Sequence, residues 1–346
     1  MIAHADRNSL SVALPGTSPA ISGSGSSQSA RVDCAVVVVT FNSARDIVGL
    51  LGSLPAAAAG LTLRTVVVDN GSTDATIPLV RGCADVVCVE NGANVGYAGG
   101  INIGREHAGE YSALLVLNPD LLLEPGAIRQ MFTALDEPAV GIVVPMLLNA
   151  DGHRRRSLRR EPTLARAIGE GLLGDHVARR PRWLSEIVRT EADYRYRHPV
   201  DWATGAAMLV SAACDRTVGR WDERFFLYSE EVDYCVRARA AGFRVDYQPA
   251  ARMRHLGAGS GESGALVALM AVNRIRFMEK HSHWSGVYRA AVILHELLRA
   301  KDPIHRPALR AVLRRSSWPA LLHGPNSLSD MGSYAVAYQE PAEKGR

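Results

Sequence analysis

Asn118-Pro119-Asp120 closes the apolar run Ala113-Leu114-Leu115-Val116-Leu117. A run of this kind reads as a buried strand, and a carboxylate at its carboxyl end sits where open α/β sheets place their ligands. A carboxylate is also a hard oxygen donor, suited to a divalent cation on a diphosphate. Alone, an acidic turn after a strand is usually just a turn. Three other clusters add weight: Thr40-Phe41-Asn42, Val68-Asp69-Asn70-Gly71-Ser72-Thr73-Asp74, and Tyr228-Ser229-Glu230-Glu231-Val232-Asp233.

Each cluster has a chemical and a structural reading. Asp69 can accept hydrogen bonds from a pyrimidine N–H or a ribose hydroxyl; Asp69-Asn70-Gly71-Ser72 also reads as a turn and helix cap. Asp74 suits a helix N-terminus. Neighbouring carboxylates such as Glu230 and Glu231 raise one another's pKa and so favour proton abstraction. The same acids suit the first turn of a helix, with Asp233 and Arg237 as an i,i+4 ion pair. For that pair the structural reading is preferred. Between these clusters lies Asn94-Val95-Gly96-Tyr97-Ala98-Gly99-Gly100-Ile101-Asn102-Ile103-Gly104. Its glycines let backbone approach a ligand, and N–H groups at a helix start attract phosphate. The spacing is neither a dinucleotide fingerprint nor a P-loop.

The elements that must hold these residues alternate. Strand-like runs over 35–40, 65–69, 85–90, 113–118 and 140–145 are separated by helix-like stretches over 44–54, 72–81, 102–108 and 126–135. This rhythm predicts a mainly parallel, doubly wound α/β sheet. From Arg154 to Arg197 the rhythm lapses, with twelve Arg against six Asp or Glu. It resumes as a strand over 202–210, a helix over 229–241 and a strand over 243–248. Helical spacing runs from Glu262 to about Leu298, followed by a basic amphipathic stretch from Lys301 to Leu322.

Taken together and in order, the motifs over roughly residues 33–280 resemble the inverting nucleotide-sugar glycosyltransferases of family 2, with the GT-A fold. The glycine block resembles the NxGxAxGxNxG pattern of rhamnosyltransferase-like members. The segment from Trp221 to Arg237 resembles the family's FDExFFxYxEDxDxxxR block. The resemblance implies a GT-A catalytic domain over 31–260: a nucleotide-binding half to 120, then an acceptor-binding half with the basic insertion at 150–198. A C-terminal helical region follows to 330, between a disordered tail at 1–30 and a tail at 331–346.

The resemblance also implies site roles. Thr40, Asn42, Asp69, Asn94, Gly96, Gly100 and Asn118 would hold the donor nucleotide. Asp120 and His255 would hold a divalent metal, Mg2+ or Mn2+; Asn118 stands where many members carry the first Asp of an Asp-x-Asp motif. Glu231 falls on the family's base, usually an Asp, and is one methylene longer. Trp202, Gly205, Asp222 and Glu230 would border the sugar or acceptor. The implied activity moves L-rhamnose from dTDP-L-rhamnose to a cell-envelope glycan or polyprenyl-linked saccharide. A UDP-sugar stays open as donor, because either pyrimidine could pair with Asp69. A nucleotidyltransferase would be expected to carry a glycine- and lysine-bearing phosphate loop near the first strand. A non-catalytic nucleotide-sugar-binding scaffold is the alternative of another class.

Composition sets the outer bounds. Hydrophobic residues make up 47% and charged residues 21% of 346 residues, with a net charge of +4, as in ordinary globular enzymes. The five cysteines are odd in number and scattered, which argues against a zinc or disulfide framework and fits a cytoplasmic compartment. No apolar run reaches the length of a membrane span. Arg154, Arg155, Arg156, Arg159 and Arg160 read by default as a solvated basic loop, or else as a grip on an acceptor diphosphate or a membrane surface. Arg306, Arg310, Arg314 and Arg315 beside Leu309, Val312, Leu313 and Trp318 suit either an anionic bilayer at the inner membrane face or packing on the catalytic domain or a second subunit in a homo-oligomer. No aromatic interleaving points to nucleic acid.

Overall fold

Valine-rich runs with both faces buried make the centre of the fold. The computed structural model describes residues 31–173, 181–257 and 263–323. The expected tails at 1–30 and 331–346, and the loop from Ala258 to Ser260, lie outside them. Strands β1 (Val32–Thr40), β2 (Leu63–Asp69), β3 (Val86–Glu90) and β4 (Tyr111–Leu117) form a parallel array in the order β3-β2-β1-β4. Helices α1 (Ile47–Ala58), α2 (Thr76–Arg81) and α3 (Gly96–His107) connect them. Parallel strands require such crossovers. Thr40 pairs with Asp69 in register, and β4 ends one residue before Asn118, so three motif-bearing loops leave the same edge.

Beyond β4 the sheet turns mixed. A short β5 (Leu121–Leu123) and helix α4 (Ala127–Ala134) lead into β6 (Val140–Asn149). The insertion holds β7 (Leu158–Arg159), α5 (Leu164–Leu173) and β8 (His198–Pro199). The strand expected over 202–210 is instead two: β9 (Trp202–Ala203), paired with β7 in a small second sheet, and β10 (Ala207–Ser211), which enters the main sheet antiparallel to β4 and β6. The break falls at Thr204-Gly205-Ala206, where the chain passes from one sheet to the other. Helices α6 (Ala212–Val218) and α7 (Glu230–Ala240) precede the long β11 (Arg244–His255), parallel to β6. Helices α8 (Gly264–His281), α9 (Ser285–Arg299) and α10 (Arg306–Leu313) complete the C-terminal region as two helices and a shorter third, rather than one continuous span.

The two faces of the sheet bury alternate side chains, as the pleat requires. Val36 and Val38 pack with α1 and α4, while Val37 and Val39 pack with α3 and the face that receives α7 and α8. Helix α3 starts at Gly96, earlier than the expected Asn102, because the glycine block is itself helical. A Cβ on Gly100 or Gly104 would lie 2.6 or 2.4 Å from Val39 or Val37. Gly100 therefore lets α3 lie close on β1; it is a packing position rather than the ligand contact expected of it. Around α10, Val312 and Trp318 are buried and Leu309 is partly buried against the core, while Leu313 is exposed, so most of its apolar side faces the protein.

Candidate active site

The loops from β1, β2 and β4 and the start of α7 meet around a cleft of about 510 Å³, including the part open to solvent. Thr40, Asn70, Asn94, Gly96, Asn118, Gly205, Glu230 and Glu231 line it. A second cavity of about 360 Å³, again including the part open to solvent, also borders Glu231. Trp202 and Tyr228 border it, with Pro162 and Glu186 from the insertion and Met270, Arg274 and Phe277 from α8. Glu231, with Tyr228 beside it, touches both spaces.

Glu231 has the geometry of a proton acceptor. It is buried, and backbone N–H groups of Glu231, Gly205 and Ser229 bond its carboxylate, while Oε2 has no hydrogen-bond partner. Burial pushes its carboxyl up to about 7, against the pull of those amides and of nearby Arg159. The extra methylene of Glu over Asp lies along bare backbone: a Cβ on Gly205 would stand 3.4–3.5 Å from the Glu231 side chain. Glu230 is buried beside it, and burial followed by the Glu231 charge holds its carboxyl well above the usual range.

The segment before α7 is strained to make this placement. Phe226, Tyr228 and Ser229 all have φ between 62° and 72°, uncommon for residues other than glycine and frequent at functional sites. Two devices hold it. Gly96, at φ 79°, lets the Phe226 backbone approach so closely that a Cβ would meet its carbonyl oxygen at 2.5 Å. Asn273, wholly buried in α8, donates from Nδ2 to the carbonyls of Phe225, Leu227 and Tyr228. In the sequence Asn273 shows only as an amide within a helical stretch; its role depends on a loop 45–48 residues earlier.

Asp120 sits at the cleft's edge, next to Asn118 and Pro119. It is buried, neither carboxylate oxygen has a hydrogen-bond partner, and Oδ1 lies 3.3 Å from His255 Nε2. These atoms fit a divalent cation, since oxygen and imidazole nitrogen are both ordinary ligands. Among the described residues no three His, Cys, Asp or Glu side chains converge for a metal. Two protein donors suit a cation that takes its other ligands from a diphosphate and water. Arg155 lies against His255 Nδ1. An Arg only donates, so in this arrangement Nδ1 accepts and the ring N–H is on Nε2, facing Asp120. Tyr97, whose importance the glycine block concealed, lies between the carboxylates. Burial, then Glu230, Glu231 and Asp120, all raise its hydroxyl.

Other expected site residues have structural partners. Asp69 accepts from the Thr40 and Ser72 hydroxyls and from the Gly71 and Ser72 amides, at 2.6–3.1 Å. Its neighbour Asn70 lines the cleft, with Oδ1 unpartnered. Asn42 binds the Thr73 amide and thereby stitches the β1 and β2 loops together. Asp222 borders neither cavity; it is ion-paired with Arg224 and Lys280, which hold its carboxyl far below the usual range. Asp233 pairs with Arg237 at 2.8 Å, as expected, and also with Lys280 and His281. The basic insertion departs from the solvated-loop default. Arg159 is 2% exposed and acts on Glu231, and Arg155 meets His255.

Fold and cleft together define a GT-A glycosyltransferase. Residues 35–209 match the model of glycosyl transferase family 2, and the chain belongs to that family. It is 31% identical over 295 residues to the N-acetylglucosaminyl-diphospho-decaprenol L-rhamnosyltransferase of Mycobacterium tuberculosis, covering 80% of this chain and 95% of that one. It is 30% identical over 219 residues to a low-salt glycan biosynthesis hexosyltransferase of Haloferax volcanii, covering 62% and 64%. Among solved structures, GalNAc-T7 with UDP, GalNAc and Mn2+ shares the fold with a TM-score of 0.57 at 13% identity, over 83% of this chain and 55% of that one.

Proposed function

We propose that this glycosyltransferase moves L-rhamnose from dTDP-L-rhamnose to a hydroxyl of a polyprenyl-linked saccharide or related cell-envelope glycan, with inversion at the anomeric carbon. The observation that supports it most is Glu231, a buried carboxylate with one unpartnered oxygen, reaching both the cleft and the second cavity. The donor would occupy the cleft, its base against Thr40 and Asn70, with Asp69 bracing that turn and Asn94 and the start of α3 toward the phosphates. Asp120 and His255 would hold a divalent cation, with Asn118 beside them toward the donor; when bound, that cation neutralises the leaving diphosphate. His255 would ligate through Nε2 once its N–H has moved to Nδ1 and Arg155 has given way.

The acceptor would enter from the second cavity, past Trp202. Its hydroxyl gives a proton to Glu231 Oε2 while its oxygen bonds to the anomeric carbon. The bond from that carbon to the diphosphate breaks on the opposite face, releasing the nucleoside diphosphate. Gly205 and the backbone amides keep Glu231 aimed. The likeness to a mycobacterial rhamnosyltransferase supports the rhamnose donor and the lipid-linked acceptor. The test is a panel of nucleotide sugars, read by thermal stabilisation with and without Mg2+ or Mn2+. The proposal expects dTDP-L-rhamnose to stabilise most, and only with metal; stronger stabilisation by a UDP-sugar would replace the donor.

A further inference from the structure

Helix α9 turns an apolar face outward. Trp284, Val287, Leu294, Leu297 and Leu298 are between 45% and 66% exposed. Residues 287, 294 and 298 recur at helical spacing, so they form one stripe. The opposite face, with Tyr288, Val292 and Glu296, is buried. Thus the helix is amphipathic in the ordinary sense on its inner side and apolar again on its outer side.

Among the described residues, the exposed charges of α9 and α10 are basic. Glu296, the sole acid of α9, is buried and bonded to His305 at 2.9 Å. Arg299 and Lys301 follow at the helix end, and α10 beside it exposes Arg306, Arg310 and Arg314. The exposed acid nearest in sequence, Asp302, accepts from the Ile304 amide to cap the next turn. A second copy laid on this stripe would bring two cationic rims together with no carboxylate on either stripe to answer them. An anionic bilayer offers both an apolar interior and headgroups of the complementary charge.

No residue of α9 lines the second cavity, but elements that border it neighbour this helix. Helix α5, which packs against α9, starts two residues after the cavity's Pro162, and Arg274 of the cavity wall lies within electrostatic reach of His295 on α9. We propose that α9 docks on an anionic membrane surface through Trp284, Val287, Leu294 and Leu298, with Lys301 and the neighbouring arginines on headgroups, so that the second cavity faces a lipid-borne acceptor. The purpose rests on the glycosyl-transfer reading; the docking does not.

Flotation of the full chain with vesicles tests this. Wild type should float with phosphatidylcholine vesicles that contain phosphatidylglycerol, less so as salt rises, and weakly with phosphatidylcholine alone. The double variant Leu294→Glu/Leu298→Glu should lose about tenfold or more in partitioning. Lys301→Glu/Arg310→Glu should lose only the preference for phosphatidylglycerol. Both should keep the wild-type melting temperature and its shift with dTDP-L-rhamnose, since these side chains face solvent. Failure of wild type to float, or equal flotation of the Leu294/Leu298 variant, overturns the docking. A wild-type dimer that this variant dissociates, without flotation by either, assigns the stripe to a second copy. If wild type floats but turns over no nucleotide sugar, the docking stands and the transfer reading fails.

Discussion

The first turn of α7 carries three buried carboxylates, and two of them, Asp233 and Glu231, have opposite surroundings. Asp233 is wholly buried yet meets Arg237, Lys280 and His281, which, against burial, hold its carboxyl below the usual range. Glu231, two residues earlier, meets backbone amides on one side and nothing on Oε2, and burial carries it up to about 7. One carboxylate has its oxygens taken by Arg237, Lys280 and His281 and reads as architecture. The other keeps an open oxygen at the junction of two cavities and can take a proton near neutral pH. The same contrast separates Asp69, with four internal bonds, from Asp120, with none. Burial alone therefore does not mark a functional acid; on α7 an unanswered oxygen narrows the choice to Glu230 and Glu231, and of these only Glu231 also reaches the second cavity.

Substitution breaks the comparison most sharply at Glu231. Glu231→Gln should lower turnover by about 10²- to 10⁴-fold, the range for a general base, while nucleotide-sugar binding persists. The sign for stability is opposite. The folded carboxyl titrates above its ordinary 4.5, so wild type loses stability as pH rises from there toward about 7. The Gln variant should therefore unfold no more easily than wild type at pH 8 in a urea titration. Asp233→Asn should do the reverse, with stability lower by about 3 kcal/mol because Arg237 and Lys280 lose their buried carboxylate partner, and with the Michaelis constant for donor unchanged in what remains folded. Arg159→Met should shift the pH at which activity appears upward, because a cation that favours ionised Glu231 is gone; a pH series on the variant reads this. The smallest effect belongs to Asp222→Asn, a loss of about 1 kcal/mol with turnover within twofold, as befits an acid that touches neither cavity.

Much of this was legible in the chain. Continuous β-branched runs announced β1 and β2, because strands buried on both faces need apolar side chains at every position. The carboxyl ends of β1 and β4 led to Thr40 and Asn118, which line the cleft; at the end of β2 the sequence pointed to Asp69, whereas its neighbour Asn70 is the one that lines it. The acidic block located Glu231, and the i,i+4 spacing identified Asp233 with Arg237. What stayed hidden depended on distant parts of the chain. Gly100 reads as a ligand contact until Val39 is seen beneath it. Asp222 reads as an acceptor group until Lys280, far along the chain, closes on it. Arg159 looks like one more basic residue of a loop, and only the fold buries it beside Glu231. The break between β9 and β10 arises from a change of sheet, which local propensity does not encode. On α9, helical periodicity placed the helix but could not say that its second apolar face would stay exposed among the described residues.

The dependence of kcat/KM on pH tests the central claim most directly, because it reports the ionisation of the free enzyme's base. With saturating metal, dTDP-L-rhamnose transfer should rise about tenfold per pH unit in acid and level off near pH 7, the value to which burial carries Glu231. A profile already flat above pH 5 would show an ordinary, solvated carboxylate and contradict the account.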